Sequence, residues 1–363
     1  MGHVAVFLTS MKIGGAQRVA FNLCSGLVEN GHAVDLVLVE AEGDLLEDLP
    51  PEVSVVGLDA SQVTTSALPL RRYLEGREPD VLYAMMTEIN VAAVAAHRLA
   101  RVGTRLVVSE HNTPSASADG IKDRLALRLA ALAYPHADRT VAVSHGVSED
   151  LRRFVDVDVT VIHNPVDVDR IRRRAAEPMD HDWFDDPSLS VVTSAGRHVP
   201  QKGFDTLLRA FAALADDDAR LVLLGEGEQR ASLRELADDL GIDDRVAFPG
   251  FVDNPFAYMG RADAFVLSSW YEGFGNVLIE AMACGTPVVS TDCPSGPSEI
   301  LEDGAYGPLV PVKEPDRMAG AIDEVLREPP DSEALSARAD EFSIPMVTSA
   351  YEDVFFGDEY SRQ

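Results

Sequence analysis

Cysteine is scarce. Cys24, Cys284 and Cys293 are the three in 363 residues, too few and too far apart for a disulfide framework or a thiolate metal cluster, and this suits a reducing cytoplasm. No apolar run reaches the roughly 18 residues of a membrane span. The opening MGHVAVFLTSMKIGG lacks the basic flank, long apolar core and small-residue cleavage site of a signal peptide, and it reads as a first buried strand. Positive charge is also short: 31 basic against 60 acidic residues leave a formal charge of -29, which repels nucleic acid and makes it an improbable partner. Lysine is nearly missing, with four (Lys12, Lys122, Lys202, Lys313) against 27 arginines. With the acid excess this suggests adaptation to a salty, halophilic cytosol where surface charge is screened. What is present is core-forming material. A hydrophobic content of 46% over 363 residues predicts two domains with sizeable cores.

The charge is unevenly spread, net -7 through residue 180 and -22 beyond it. Between 96 and 129 the sign reverses: Arg98, Arg101, Arg105, Lys122, Arg124 and Arg128 face only Glu110, Asp119 and Asp123. Such an island is either an ordinary solvated helix face or a surface that meets an anionic partner.

Short apolar runs recur at 4–9, 33–39, 80–85, 105–110, 140–144 and 159–164. They are apolar throughout rather than alternating, as in parallel strands covered on both faces by helices. Between the first two runs Val19, Leu23 and Leu27 share one helical face, and Gly31 is a plausible stop. The stretch 165–188, with three prolines and clustered arginines, reads as an interdomain connection. The rhythm then restarts with runs at 189–195, 220–225, 245–250, 263–269, 287–291 and 308–312, and helices near 203–215, 228–240 and 276–284. The tail 344–356 is a helix with Met346, Ala350 and Val354 in line. Two open parallel sheets imply ligand crevices outside the carboxyl ends of their strands, and a cleft between domains as the default site.

Three constellations stand at such strand ends. The first is Gly14-Gly15 ahead of a helix, where missing side chains allow a ligand close to the backbone and the helix start favours an anion. The full GxGxxG spacing is missing, so a dinucleotide fingerprint is not supported. Arg18, one turn on, is a helper or a surface residue. The second is AGRHVPQKG at 195–203: Arg197 and Lys202 frame a polar loop suited to a diphosphate, with a fork and a point charge, and they also suit purely structural roles. The third is SSWYEGFGNVLIEAMACGTPVVST at 268–291. Glu272 and Glu280, eight residues apart, are separated by roughly 12 Å of helix rise, too far to share a proton or flank one glycosidic bond. They suit two ends of one extended ligand. Gly273 to Gly275 put backbone amides at a helix start. Glu280, among apolar neighbours, must meet donors such as sugar hydroxyls or a neighbouring loop.

In this order, the motifs YEGFGNVLIEAMACGTPVVS, GRHVPQKGFDTLLRAF and LVLLGEGEQRASL resemble the family 4 retaining glycosyltransferases (glycosyl transferases group 1). The resemblance covers nearly the whole chain. It implies the α/β GT-B architecture: two Rossmann-like parallel-sheet domains facing each other across a cleft. Residues 1–175 would bind acceptor, 176–345 would bind the nucleotide-sugar donor, and a helix in 346–363 would cross back to the first domain. It further implies that Glu280 binds the ribose, and that Glu272 with the backbone of Gly273, Phe274, Gly275, Asn276 and Val277 holds the donor sugar. Arg197 and Lys202 would grip the diphosphate, Gly14 and Gly15 would approach it from the other domain, and Phe248 to Gly250 would meet the base. His111 in VVSEHN matches the histidine that reaches the sugar near its transferred carbon. Its neighbours Glu110 and Asn112 would touch the acceptor, His163-Asn164 matches a turn that shapes the cleft beside the hinge and is structural first, and Ser144-His145 divide between packing and acceptor contact.

The activity implied is hexosyl transfer (EC 2.4) with retention: the acceptor hydroxyl enters on the face from which the diphosphate leaves, and a phosphate oxygen takes its proton. Catalysis then rests on orientation and stabilisation of leaving-group charge. The resemblance implies no cofactor and no metal, since DxD is missing from the first-half strand ends and DDD at 216–218 is a solvated helix end. DCPSGPSEIL at 292–301 looks like the variant in enzymes that build glycans on lipid carriers or capsular polysaccharides, which favours a UDP-sugar donor. The expected partners are therefore a nucleotide sugar and a glycan or lipid-linked acceptor, in cell-surface polysaccharide or glycoprotein glycan assembly, with peripheral contact to the anionic inner face of the membrane. The alternatives are a nucleotide-sugar epimerase of the same fold and a non-catalytic sugar-nucleotide-binding subunit.

Overall fold

The computed structural model describes residues 1–117 and 120–357, with the side chains of 116–117 and 121–123 left out. Asp119, and the side chains of Lys122 and Asp123, thus lie outside the described residues. The chain divides into two compact units, the first formed by Met1–Val166 with the chain from Ser343 onward, the second by Asp167–Phe342.

In unit one the apolar runs become the parallel strands β1 (His3–Leu8), β2 (Ala33–Leu38), β3 (Val53–Gly57), β4 (Val81–Met85), β5 (Arg105–Glu110), β6 (Arg139–Ala142) and β7 (Val159–Val161), in the order β3-β2-β1-β4-β5-β6-β7. All five residues of β4 are buried, as befits a strand covered on both faces. β3 is not among the runs the sequence picks out. It is an edge strand, and Val55 is exposed, so its hydrophobic signal is weak. The helix Gly15–Glu29 buries Val19, Leu23 and Leu27 as their spacing requires.

Unit two repeats the architecture with β8 (Ser190–Ala195), β9 (Ala219–Leu224), β10 (Val246–Gly250), β11 (Ala264–Leu267), β12 (Val288–Thr291) and β13 (Leu309–Val310), all parallel, in the order β10-β9-β8-β11-β12-β13. Each unit is therefore an open parallel α/β fold with one reversal of strand order, between β1 and β4 in the first and between β8 and β11 in the second. The carboxyl ends beside such a reversal are where neighbouring loops part and a ligand can enter.

Two sequence readings change. The stretch 165–188 is not a bare connection, because it holds the helix Val168–Ala175. Its arginines are tied into unit two: Arg172 reaches Asp340 at 2.8 Å and Ser336 Oγ at 2.6 Å, and Arg174 reaches Asp253 at 2.6 Å. The tail helix Ile344–Phe356 forms where expected but buries another stripe, Val347, Thr348, Tyr351 and Phe355, and leaves Met346 61% exposed. Its docking decides the face. Gly26 in the helix Gly15–Glu29 leaves the space that Thr348 and Ile344 occupy, and a Cβ there would collide with both. Asn30 Nδ2 donates to Glu352 Oε1 at 2.9 Å, and Phe356 stacks on His32.

Among the described residues, no helix is long and apolar enough to cross a membrane.

Candidate active site

The strand reversal in unit two brings the second and third constellations together. β8 ends in the loop that carries Arg197 and Lys202, and β11 ends in the loop that carries Glu272. The loops are stapled: Trp270 N–H donates to Gln201 O at 2.7 Å, Gln201 Nε2 donates to Tyr271 O at 2.9 Å, and Ser268 Oγ donates to Lys202 O at 2.8 Å. Gly203 makes this approach possible, since it holds φ +60° and a Cβ would collide with the Ser268 carbonyl. The consequence is a direct ion pair. Lys202 Nζ lies 2.6 Å from Glu272 Oε1, with side chains only 17% and 10% exposed, and Ser269 Oγ donates to the same oxygen at 2.6 Å. A charge pair so far removed from water is held in one geometry, and each ion would be costly without the other. Two residues that the resemblance places on diphosphate and sugar are therefore bonded to each other here.

Arg197, by contrast, is exposed. The two cations of the loop are thus unlike, one locked in an ion pair and one exposed to solvent. Phe274 is buried and packs edge-on against Phe342, anchoring the turn before the helix Asn276–Ala283. That helix starts at Gly275 with no side-chain cap and no acidic residue in its first turn, a polarity that favours an approaching anion. Gly273 is buried, whereas Asn276, Val277 and Glu280 are half-buried.

At the end of β10, Phe248 O accepts from Arg230 at 2.8 Å and Gly250 O accepts from Gly225 N–H at 2.8 Å. Phe248 O also accepts from Arg234 at 3.5 Å, so a base there would use the second lone pair of Gly250 O or neighbouring groups. His198 fills the space beneath. It is fully buried, edge-on to Phe204 and Phe248, and burial pushes its pKa down.

Unit one holds the rest. Gly14 precedes the helix Gly15–Glu29 with extended backbone, and a Cβ at Gly15 would meet nothing within 4 Å. The fold does not need a glycine at Gly15, and the space beside its backbone is open to a ligand. His111, just after β5, is buried. Its Nε2 lies 3.1 Å from Ser109 Oγ and 3.4 Å from Tyr83 Oη. Tyr83 Oη in turn donates to Tyr351 Oη of the tail helix at 3.0 Å. Burial lowers the His111 pKa to about 3, opposed by hydrogen bonding to Asn164, so the ring is neutral at neutral pH. Glu110 is buried too, and desolvation raises its carboxyl to about 7 against hydrogen bonds from Tyr134, Thr87 and Asn90. Asn112 and His145 are exposed, and His163 is half-buried. Ser144 Oγ accepts from Val147 N–H at 3.1 Å and caps the helix His145–Leu151.

Gly203 and Ser269 stand inside the second and third constellations without a role of their own, and Tyr83 and Tyr351 are given none. Tyr83 sits in an apolar run and Tyr351 in the tail helix, with no polar pattern around either to mark it. Among the described residues no group of three or more His, Cys, Asp or Glu could hold a metal ion.

The family model for glycosyl transferases group 1 matches residues 181–342, and that for glycosyltransferase family 4 matches residues 13–170. Over 345 residues the chain is 30% identical to a Campylobacter jejuni protein, covering 90% of this chain and 91% of that one. The chain belongs to the family 4 glycosyltransferases. The Campylobacter relative is the N-acetylgalactosamine-N,N'-diacetylbacillosaminyl-diphospho-undecaprenol 4-alpha-N-acetylgalactosaminyltransferase. The lipopolysaccharide core biosynthesis glycosyltransferase LpsE of Rhizobium meliloti is also 30% identical, over 94% of this chain and 95% of its own. Among solved structures, Anabaena HepE in complex with UDP-glucose aligns with a TM-score of 0.79 at 23% identity, over 98% of this chain and 99% of that one. That likeness shows the GT-B fold of this glycosyltransferase.

Proposed function

We propose that this glycosyltransferase moves a hexose from a UDP-linked donor, with retention of anomeric configuration, to a lipid-linked saccharide, with the donor bound by unit two. The observation that carries this reading is the Lys202–Glu272 pair at the β8/β11 reversal, a preformed cation and carboxylate suited to a diphosphate beside a hydroxylated ring. HepE was crystallised with UDP-glucose, and the Campylobacter relative is named for a diphospho-undecaprenol acceptor; both support the choice of substrates. Arg197 and Lys202 hold the diphosphate, Glu272 and the turn 273–277 hold the sugar, and Glu280 holds the ribose. Gly14 and Gly15 leave room for the anion, Phe248 to Gly250 flank the base, and His111 meets the sugar. No protein base is required, because a donor phosphate oxygen can take the acceptor proton. Incubation with a panel of UDP- and GDP-sugars, followed by proton NMR of the product, tests the whole reading. One UDP-sugar should give a product with the donor's anomeric configuration; an inverted linkage sinks same-face attack.

Glu280→Gln separates ribose from sugar. Replacing a charged acceptor of hydroxyl donors costs about 1.5–3 kcal/mol, so UDP and intact UDP-sugar should both bind roughly tenfold or more weakly by calorimetry. Equal UDP affinity in the variant and the parent would place the ribose elsewhere.

Contact with an anionic membrane is proposed for the helix Ile121–Ala133. It exposes Leu125, Leu129 and Leu132, at 54%, 44% and 73%, beside exposed Arg124 and Arg128, an apolar stripe rimmed by cations in a chain of charge -29. At about 1 kcal/mol per cation near such a surface, Arg124→Ser with Arg128→Ser should cut low-salt flotation with anionic vesicles by roughly tenfold or more. Unchanged flotation makes the stripe an ordinary solvated face.

A further inference from the structure

Arg338, in the helix Ser332–Asp340 of unit two, is only 8% exposed, and its guanidinium is tied to four groups. Nε donates to Ile300 O at 3.0 Å, Nη2 donates to Glu299 O at 2.8 Å, and Nη1 donates to Glu341 Oε2 at 2.6 Å and lies 2.9 Å from Glu302 Oε1. The guanidinium also lies over the Phe342 ring, 4.9 Å from its centroid. We infer that Arg338 is a positioning residue for the donor sugar, acting through Phe342 and the segment 294–300 on the turn 272–275. The inference rests on that turn holding the sugar, as proposed above.

Two paths lead from the guanidinium to the turn. Phe342, itself buried, packs edge-on against Phe274 with ring centroids 5.6 Å apart, and Phe274 follows Glu272 and Gly273 in the turn. The second path runs through the short helix Pro297–Ile300, whose last carbonyls find no partner within a helix and are met by Arg338 instead. That helix starts at Gly296, which holds φ +93° with its backbone so close to Phe274 O that a Cβ would collide with it. Just before it, Pro294 O accepts from Glu272 N–H at 3.4 Å. Arg338 therefore fixes both supports of the turn.

Chemistry explains why this residue is an arginine. A planar fork serves two carbonyls and two carboxylates at once and keeps a face for Phe342, whereas a lysine presents its donors from one point and has no face. An apolar side chain would fill the space and leave both carbonyls bare. Rigidity matters here because backbone amides bind a donor well only when they are in place beforehand, and an error of about 1 Å in a positioning group costs up to roughly 10² in rate. The helix Asn276–Ala283, which carries Glu280, has its own anchors in buried Leu278, Ile279 and Met282. The nucleotide should therefore bind without help from Arg338, and the sugar should not.

The test compares the full-length parent with Arg338→Lys, Phe342→Leu, the double variant and a control, Leu335→Ala, which truncates a buried side chain of the same helix that belongs to neither path. Probes are UDP and the UDP-linked forms of glucose, galactose, N-acetylglucosamine and N-acetylgalactosamine. Calorimetry reads UDP affinity, UDP release reads kcat/KM for each donor, and thermal melts read stability. Arg338→Lys keeps the charge and loses the fork, and it should lower kcat/KM roughly tenfold or more while changing UDP affinity less than about twofold. Phe342→Leu should show the same split, and it decides alone if Arg338→Lys fails to fold. The double variant should lose little more than Arg338→Lys does, because the arginine acts through Phe342. Leu335→Ala should melt earlier and keep its kcat/KM per folded molecule. The inference is overturned if the folded Arg338 and Phe342 variants turn over donor as the parent does, if UDP affinity falls as far as turnover, or if Leu335→Ala shows the same loss. A parent that turns over none of the donors removes the donor reading and the inference with it; an active parent with unaffected variants removes the inference alone.

Discussion

Lys202→Ala is expected to lower kcat/KM for sugar transfer by about 10²–10³-fold, the usual cost of removing one preorganised group that stabilises developing negative charge. Both kcat and donor affinity should fall, because the diphosphate is charged in the ground state and gains charge as the sugar leaves. The structure adds a second consequence. Glu272, with its side chain only 10% exposed, accepts from Lys202 Nζ and from Ser269 Oγ, and the variant strips its carboxylate of the cation. Removing one partner of a buried pair costs about 3–5 kcal/mol, and residual exposure places this pair toward the lower end. The melting temperature should therefore drop as well. Adding Glu272→Gln to Lys202→Ala should restore much of the stability and none of the rate. Thermal melts and steady-state kinetics on the parent, both single variants and the double variant read the two effects separately. A double variant no more stable than Lys202→Ala would show that the pair is not coupled, and an unchanged kcat/KM would remove Lys202 from the diphosphate.

His111→Ala should depress kcat by about a hundredfold while leaving UDP affinity nearly intact, since a contact made near the transferred carbon matters when charge develops there. The His111 ring is neutral, because burial lowers its pKa to about 3. The pH profile of kcat should accordingly show no limb from this histidine across roughly pH 5 to 9. Linkage gives an independent readout. Between about 3 and the ordinary 6.5 the unfolded chain binds a proton at His111 that the folded chain does not, so its contribution is complete above 6.5 and is lost as pH falls through that window. His111→Ala should flatten this part of the acid-unfolding curve. Tyr83→Phe, which removes the hydroxyl between His111 and Tyr351, should lower kcat less than His111→Ala does and leave KM for the donor unchanged. If His111→Ala melts early and turns over normally per folded molecule, the ring is a packing element, and Glu110 becomes the group to examine.

Much of this molecule is legible in one dimension because parallel strands buried on both faces are written as uninterrupted apolar runs. β1, β4 and β8 declare themselves in that way. β3 does not, because an edge strand with Val55 in solvent has no such run. The tail helix illustrates the same limit: its periodicity marks a helix but offers two stripes, and the groove left by Gly26 selects Tyr351 and Phe355 over Met346. The arginines of 170–174 look like linker charge in the sequence, and ion pairs to Asp253 and Asp340, far along the chain, fold them into unit two.

Sequence alone determined the fold class, the family and the residue types at the strand ends, because hydrophobic period and motif spacing are local quantities. It placed Lys202 and Glu272 on separate loops with separate tasks. Only the tertiary structure decided that the β8 and β11 loops are stapled so that the two become one buried pair, that Arg197 stays in solvent, and that His111 is held by Ser109 and Tyr83 with its ring neutral. Those outcomes depend on strand order, on burial and on partners as remote as Tyr351, 268 positions from Tyr83. None of these is a property of neighbouring residues.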